Sequence, residues 1–201
     1  MASEDSGGRK PRIDVQRNRA SILEAATRRF AEHGIGTSLE AIAKEAGVGP
    51  GTLYRHFPTR EALLAAVLQI RAEELLARRT EIERITDADE ALRQWMRALE
   101  DYLSAFSGLP EPLLAAIRVK ESPLTVPCHT LIGITGDLLR TAQLNGNART
   151  SVQGDDLFLA ALSVAWVKGS GAGDETSLSS LRAITETGYT HGLGTVPASR
   201  T

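Results

Sequence analysis

Hydrogen-bonding side chains are concentrated in residues 49–60, a stretch that opens with Gly-Pro-Gly. Glycines let a backbone approach another molecule closely, and the donors that follow suit the phosphates and base edges of DNA. We predict phosphate contacts from Thr37, Tyr54, His56 and Arg60, and base contacts from Arg55 or Thr52. The complete set expected to contact DNA is Thr37, Ser38, Pro50, Gly51, Thr52, Tyr54, Arg55, His56, Thr59 and Arg60.

Two short helices about a tight turn are predicted to position these side chains. Thr37 and Glu40 lie three residues apart in a capping-box pattern, so the first helix should begin near Ser38. Gly47 then supplies a left-handed backbone conformation that other residues resist. The second helix should begin near Pro50, because a proline at the first helical position loses no hydrogen bond.

The second helix is predicted to bury one face and expose the other. Val48, Leu53 and Phe57 should point inward, which leaves the hydrogen-bond donors outward. Such a helix is typical of the recognition helix of a helix-turn-helix, which lies in the major groove of DNA. The alternative is an ordinary helical hairpin whose exposed face holds polar residues.

A set of short motifs extends over the stretch from Asn18 to Val67. These motifs are Ile22-Leu23-Glu24-Ala25-Ala26, Phe30, Gly34, Ile42-Ala43, Ala46-Gly47-Val48, Gly51-Thr52-Leu53-Tyr54-Arg55-His56-Phe57 and Glu61-Ala62-Leu63. The pattern closely resembles the TetR family of bacterial transcriptional regulators, over about the first third of the chain. The resemblance implies an all-α homodimer whose second domain binds an effector and changes the separation of two DNA-reading heads. It also implies a dimer interface on the last two long helices, through Leu157, Ala161, Val164, Ala165, Leu178, Leu181 and Ile184. The alternative is that the apolar helix at 155–168 is buried wholly within one subunit.

Composition places the chain among ordinary globular proteins. Its 201 residues allow one or two domains, and 42% hydrophobic with 24% charged residues is typical of that class. The N-terminal sequence MASEDSGGRKPR lacks the apolar centre of a signal peptide, and no run approaches 18 apolar residues. We therefore expect a cytoplasmic protein without membrane contact. The single Cys128 excludes an internal disulfide, and without a CxxC motif or clustered histidines we expect no metal and no cofactor.

Charge is distributed unevenly along the chain. Residues 1–60 hold ten Lys and Arg against seven Asp and Glu, a net charge of +3. Residues 61–201 hold thirteen against eighteen, a net charge of -5. The basic excess lies beside the predicted DNA-binding element, where it can neutralise phosphates.

The remaining sequence predicts one helix after another, about nine in total. A first helix is expected from Asp14 to Glu32, and a bridging helix from Arg60, capped by Thr59 and with Leu76 among its buried residues. Further helices are expected near residues 87–106, 113–120, 131–142, 155–168 and 177–189, with breaks at 108–112, 122–123 and 126–127. The predicted organisation is a disordered basic tail at 1–11, a helix-turn-helix domain at 12–58, an effector-binding and dimerisation domain at 59–192, and a second disordered tail at 193–201.

An effector pocket is predicted between the bridging helix and the dimer helices. Its expected lining is mostly apolar with a few polar groups, as in most small-molecule sites. The predicted lining is Trp95, Leu99, Tyr102, Phe106, Ile117, Arg118, Cys128, His129, Leu131, Ile134 and Phe158. Simple core packing is the alternative for most of these residues.

The predicted function is a homodimeric repressor that binds a pseudo-palindromic operator in double-stranded DNA and is released by a small molecule. A regulator without a small-molecule ligand, or an activator, is the alternative. An enzyme with Cys128 as nucleophile and His129 as base is rejected. Neighbouring residues on a helix point about 100° apart, and no carboxylate is identifiable that would orient the histidine.

Overall fold

The computed structural model describes residues 9–119 and 121–190, and side chains from residue 14 onward. This part of the chain is all α-helical, which confirms the predicted fold class. Its nine helices are α1 (Arg9–His33), α2 (Leu39–Glu45), α3 (Pro50–His56), α4 (Arg60–Ile82), α5 (Ala88–Leu103), α6 (Pro110–Arg118), α7 (Thr125–Leu144), α8 (Gly154–Ser170) and α9 (Glu175–Tyr189). The predicted C-terminal tail and the first eight residues of the predicted N-terminal tail lie outside the described residues.

Helices α1, α2 and α3 form a small domain, here called the head, around a shared apolar core. Ile22 and Phe30 of α1, Ile42 of α2 and Leu53 of α3 are completely buried. Because these residues recur at helical spacing, each helix presents one apolar face to the other two. The head is therefore held together by side chains that leave the opposite faces of α2 and α3 uncovered.

Two boundaries in the head differ from the prediction. α1 begins at Arg9, earlier than the predicted Asp14, so residues 9–11 belong to the helix and not to a tail. The cap of α2 is Ser38 and not Thr37, because Ser38 has the extended backbone of a cap and its hydroxyl accepts the Ala41 N–H at 3.1 Å.

Helix α4 leads from the head into the rest of the chain. Thr59 caps it as predicted, with its hydroxyl accepting the Ala62 N–H at 3.1 Å. Its buried stripe reaches Leu75 and Ile82, and α4 contacts both α1 and α5. Leu76, predicted to be buried, is 38% exposed because the stripe passes through its neighbour Leu75.

Helices α5 to α9 form the C-terminal domain, with α5, α7 and α8 in mutual contact at its centre. The Asp87 carboxylate caps α5 by accepting the N–H groups of Asp89 and Glu90. Trp95 and Leu99 on the inner face of α5 are completely buried. α5 therefore organises the core of this domain.

Three prolines lie in helix first turns where the sequence predicted breaks. α6 begins at Pro110 and includes Pro112, and α7 begins at Thr125, which places Pro127 in its first turn. First-turn N–H groups have no partner within a helix, so a proline there loses nothing. α7 then continues through its glycines. A side chain on Gly154 would come within 2.8 Å of the Gly136 backbone, so the missing side chain of Gly154 lets the start of α8 lie directly against α7.

Helix α8 contacts α5, α6, α7 and α9, which explains why its sequence is apolar on nearly every side. Gly171, with φ +67°, ends it in the left-handed conformation. None of the helices described, α8 included, is long and apolar enough to cross a membrane.

Candidate nucleic-acid interface

Helices α2 and α3 meet at a tight turn that leaves one face of α3 uncovered. Gly47 has φ +69°, the left-handed conformation that the sequence predicts. Gly49 is the cap of α3, and Pro50 begins it. Leu53 and Phe57 are buried beneath the helix and anchor it in the head. The turn and the anchors together fix the direction in which the other side chains of α3 point.

The predicted donors of α3 lie outside this buried stripe. Tyr54 and Arg55 are exposed, while Thr52 and His56 are half-buried. Arg55 takes part in no ion pair within the described ranges, so its guanidinium can reach a partner in solution. Pro50 and Gly51 are exposed at the start of the helix. Contact of these residues with DNA stays a prediction.

The hydroxyls that cap α2 and α4 flank α3 on either side. Ser38 and Thr59 are exposed, and each hydroxyl oxygen accepts a backbone N–H of its own helix. The proton of each hydroxyl remains available as a donor. The two caps can therefore bind phosphate oxygens without giving up their structural role, whereas Thr37 is half-buried and caps neither helix.

Arg60 has a second role that the sequence did not reveal. Its Nη1 donates to the carbonyl oxygens of Ile35 at 2.5 Å and of Thr37 at 2.6 Å. The guanidinium thus fastens the start of α4 to the turn between α1 and α2. A phosphate would have to bind the remaining N–H groups, so the predicted contact of Arg60 with DNA and its structural role share one side chain.

Glu40 contacts a predicted DNA-binding residue, although the sequence analysis did not include it among the site residues. The Tyr54 hydroxyl donates a hydrogen bond to Glu40 Oε1 at 3.2 Å, across the gap between α2 and α3. This bond to a carboxylate is the main cause that raises the pKa of Tyr54 above its usual value. The position of Glu40 in the first turn of α2 is the signal that would have indicated it.

The turn between α5 and α6 packs against the turn between α1 and α2, a contact here called the joint. The Ile35 N–H donates to the carbonyl oxygen of Ser107 at 3.0 Å. The rings of Phe30 and Phe106 meet edge to face with centroids 5.7 Å apart. Gly34, with φ +72°, leaves no room for a side chain, since a Cβ there would lie 2.9 Å from Ser107 O. The joint is thus a second connection between the head and the C-terminal domain, besides α4.

Most of the predicted effector pocket is packed core. The buried members are Trp95, Leu99, Tyr102, Phe106, Cys128, Leu131, Ile134 and Phe158. Trp95 Nε1 donates to Thr135 Oγ1 at 2.8 Å, and the Tyr102 hydroxyl donates to the carbonyl oxygen of Leu68 at 3.1 Å. Burial raises the pKa of Tyr102 to about 12. The polar atoms of the two large aromatic residues are therefore satisfied by the protein itself.

The polar residues predicted to line the pocket, Arg118, Cys128 and His129, do not face one common space. Arg118 and His129 are exposed and Ile117 is half-buried, so the first two cannot line an interior pocket in this conformation. Cys128 is buried, and burial raises the pKa of its thiol to about 11. A protonated thiol inside the core beside a histidine on the surface does not form a nucleophile and base pair.

A groove of about 400 Å³ lies between α6 and α8, away from the predicted pocket. Leu114, Leu159 and Trp166 line it and are each more than a third exposed. The Trp166 indole Nε1 donates to Glu111 Oε1 at 2.8 Å across the groove. The groove is therefore an apolar surface open to solvent.

Most of the predicted dimer residues are covered within one chain. Leu157, Ala161, Val164 and Ala165 are at most 3% exposed within one chain, because α5, α6 and α7 cover them. Leu178 is also buried, and Leu181 is half-buried. A partner subunit can reach only Ile184 of the predicted set without rearrangement, since its side chain is 67% exposed. The accessible stripe of α8 comprises Leu159, Ser163 and Trp166.

The exposed helix-turn-helix on a small head, joined to a larger helical domain, defines a helix-turn-helix regulator. Residues 22–67 match the family described as "Bacterial regulatory proteins, tetR family". Residues 87–191, more than half of the chain, match the family described as "Transcriptional regulator SbtR-like, C-terminal domain". The chain belongs to the TetR family of transcriptional regulators.

Individual relatives agree with this assignment. The HTH-type transcriptional regulator LmrA of Bacillus subtilis (strain 168) is 36% identical over 119 residues, which are 56% of this chain and 63% of LmrA. The match thus spans less than two thirds of LmrA. The crystal structure of the TetR transcriptional regulator SCO0520 from Streptomyces coelicolor is 31% identical, with a TM-score of 0.56, over 87% of this chain and 99% of that one. FadR from Bacillus subtilis, solved in complex with stearoyl-CoA, shares the fold at 20% identity, with a TM-score of 0.60, over 84% of this chain and 98% of that one.

Proposed function

We propose that this chain is a transcriptional repressor that binds an operator in double-stranded DNA through α3. The exposed face of α3 carries the proposal, because Tyr54 and Arg55 project from a helix whose direction is fixed by the Gly47 turn. An α-helix fits the major groove, and arginine can bind guanine through two parallel hydrogen bonds. The similarity to LmrA, an HTH-type transcriptional regulator, supports the same function.

The repressor acts as a homodimer. One recognition helix contacts only a few base pairs, whereas two helices related by a two-fold axis read a pseudo-palindrome. The accessible apolar surface that suits a second copy comprises Leu159 and Trp166 of α8, with Ile184 of α9. These residues take the place of the four buried α8 residues that the sequence indicated.

A small molecule that binds the C-terminal domain would release the repressor. Such a ligand lowers DNA affinity when it binds more tightly to a conformation with a different head separation. α4 and the joint are the two connections through which a movement of the C-terminal domain can reach the head. The stearoyl-CoA held by FadR supports the use of this fold for ligand binding, although the likeness to FadR concerns the fold alone.

A regulator without a small-molecule ligand is the second candidate. Trp95, Leu99 and Phe158, all predicted to line the pocket, are completely buried in one core. A core filled in this way favours control by a protein partner or by the concentration of the regulator itself. The two candidate functions share the same DNA-binding step. They differ only in whether a small molecule causes the protein to dissociate from DNA.

Binding of the purified protein to duplex DNA flanking its own gene tests the DNA-binding step. The dissociation constant is measured at two salt concentrations for the wild type and for a Tyr54→Ala, Arg55→Ala double variant. A matched control is Arg140→Ala, since Arg140 is an exposed arginine on α7, in the C-terminal domain. Tight binding that resists competitor DNA, is lost in the double variant and persists in the control supports the proposal.

Weak binding that is equal in all three proteins would contradict the role of α3.

The same assay then distinguishes the ligand-released repressor from the regulator without a ligand. A compound library that includes acyl-CoA esters is added to the protein–DNA complex. Dissociation by one compound at constant protein concentration favours a ligand-released repressor, and insensitivity to every compound favours the second candidate.

A further inference from the structure

Glu40 and Tyr54 join the two helices of the helix-turn-helix on its exposed side. The Tyr54 hydroxyl donates to Glu40 Oε1 at 3.2 Å, and both side chains are exposed. Glu40 lies in the first turn of α2 and Tyr54 lies within α3. The pair therefore belongs to the surface that would face DNA.

No basic side chain in the described part of the chain neutralises the Glu40 carboxylate. By contrast, Glu45 at the other end of α2 is bound by Arg28 at 2.9 Å and by Arg29 at 3.3 Å. A free carboxylate that lay against a phosphate would weaken DNA binding by charge repulsion. The same carboxylate is favourable above the floor of the major groove, where the bases present hydrogen-bond donors.

The bond to Glu40 also decides what Tyr54 can offer to DNA. A phenolic hydroxyl has one proton, so while the Tyr54 O–H donates to Glu40, the Tyr54 oxygen can only accept a further hydrogen bond. Phosphate oxygens only accept, whereas adenine N6 and cytosine N4 donate in the major groove. A carboxylate is a more basic acceptor than a phosphodiester oxygen, so the Tyr54 O–H keeps its hydrogen bond to Glu40 in preference to a phosphate when DNA approaches. The raised pKa of Tyr54 is consistent with a hydroxyl that keeps its proton.

We propose that the Glu40–Tyr54 pair reads one exocyclic amino group, from an adenine or a cytosine, in each half-site of the operator. The Tyr54 oxygen accepts the amino proton, and Glu40 is the positioning residue that presents this oxygen as an acceptor. The pair thereby replaces the phosphate contact that the sequence indicated for Tyr54. This inference rests on the proposed docking of α3 in the major groove.

The test begins with full-length wild-type protein and a duplex pool with a randomised core, from which bound sequences are selected. Each position of the selected duplex is then changed, and Kd is measured for the wild type, Tyr54→Phe, Glu40→Ala and the double variant. One position in each half-site should favour adenine or cytosine about tenfold in the wild type. Each single variant should lose the preference at this position and keep the preferences at all other positions. The double variant should show the same loss as each single variant, because the pair acts as a unit.

Base analogues distinguish the two sources of the amino group. Purine in place of adenine, or 2-pyrimidinone in place of cytosine, removes the exocyclic amine and keeps the ring. The wild type should bind the duplex with the relevant analogue about tenfold less tightly, as for one mismatched base pair. Tyr54→Phe should bind the natural and the modified duplex equally.

Glu61→Ala is the matched control, because Glu61 is an exposed carboxylate in the first turn of α4. This variant should keep every base preference. Uniform weakening of all sequences by Tyr54→Phe, with a shallower salt dependence, would show a phosphate contact and overturn the proposal. If the wild type selects no sequence from the pool, the proposed sequence-specific function itself fails. Thermal unfolding curves that coincide with the wild type show that each variant is folded.

Discussion

Replacing Gly34 with alanine should destabilise the protein through the joint. Gly34 has φ +72°, and an L-residue in the left-handed region costs about 1–2 kcal/mol. The alanine Cβ would lie 2.9 Å from Ser107 O, so the turn between α5 and α6 must move away. That movement breaks the bond from the Ile35 N–H to Ser107 O, which contributes about 1 kcal/mol net. The expected loss of unfolding free energy is about 2–3 kcal/mol.

Alanine variants at two other glycines distinguish the cost of backbone strain from the cost of the contact with Ser107. Gly47 has φ +69° with open space around a Cβ, so Gly47→Ala should cost about 1–2 kcal/mol from strain alone. Gly36 has neither a positive φ nor a neighbour within 4 Å, so Gly36→Ala should change stability by less than about 0.5 kcal/mol. Urea unfolding of the three variants, followed by circular dichroism at one protein concentration, measures the series.

The order of the three variants decides whether the reasoning holds. Gly34→Ala should unfold at the lowest urea concentration and about 5–10 °C below the wild type on heating. If Gly34→Ala cost no more than Gly47→Ala, the contact with Ser107 would contribute nothing, and the joint would be refuted as a stabilising contact. A Gly36→Ala variant as unstable as Gly34→Ala would show that the whole turn tolerates no side chain.

Three further predictions concern other contacts of the chain. Arg60→Ala should lose both hydrogen bonds to the turn between α1 and α2, which lowers the unfolding free energy by about 1–3 kcal/mol. It should also weaken binding to all DNA sequences alike. Unchanged stability in urea would contradict the role of Arg60 in binding the backbone of this turn. Leu159→Ser with Trp166→Ser should convert the dimer to a monomer in sedimentation, whereas Val126→Ser, which removes an exposed valine of α7, should not. Burial raises the pKa of Cys128 to about 11, so its thiol should react slowly with a disulfide reagent at pH 8 in the folded protein and quickly in urea; rapid reaction of the folded protein would contradict its burial.

The helix-turn-helix could be predicted from the sequence because its signals are local. Gly47 needs the left-handed conformation, Pro50 suits a first turn, and Thr59 caps the helix that follows. Each signal depends on neighbours within a few residues, and the structure confirms all three. The exposed face of α3 follows directly from these three positions.

The dimer face could not be chosen from the sequence pattern. α8 is apolar on several sides, so both Leu157 with Ala161 and Leu159 with Trp166 read as candidate contact residues. Hydrophobic periodicity identifies a helix that is covered, but it does not say which side is covered by the same chain. Only the packing of α5, α6 and α7 shows that the stripe with Ala161 faces inward.

The predicted pocket residues could not be distinguished from core residues by sequence, for a related reason. Pocket linings and protein cores use the same apolar residue types, so Trp95 and Phe158 satisfy either description. Whether such residues leave a space between them depends on the fit of several helices that are distant in sequence. The hydrogen bond from Trp95 on α5 to Thr135 on α7 is one such contact between distant parts of the sequence, and the sequence of α5 alone does not indicate it.

The backbone of Ile35 is held at both its N–H and its carbonyl oxygen, which gives the C-terminal domain a connection to the head that does not run along α4. Ser107 O accepts its N–H at 3.0 Å, and Arg60 binds its carbonyl oxygen at 2.5 Å. Arg60 also binds the carbonyl of Thr37, next to the Ser38 cap of α2. A displacement of the turn between α5 and α6 would therefore reach the start of α2 through the backbone of Ile35 and the Arg60 guanidinium. Each bond contributes about 1 kcal/mol or more, so together they can carry the coupling of about 1–3 kcal/mol that is typical between a ligand site and a distant surface.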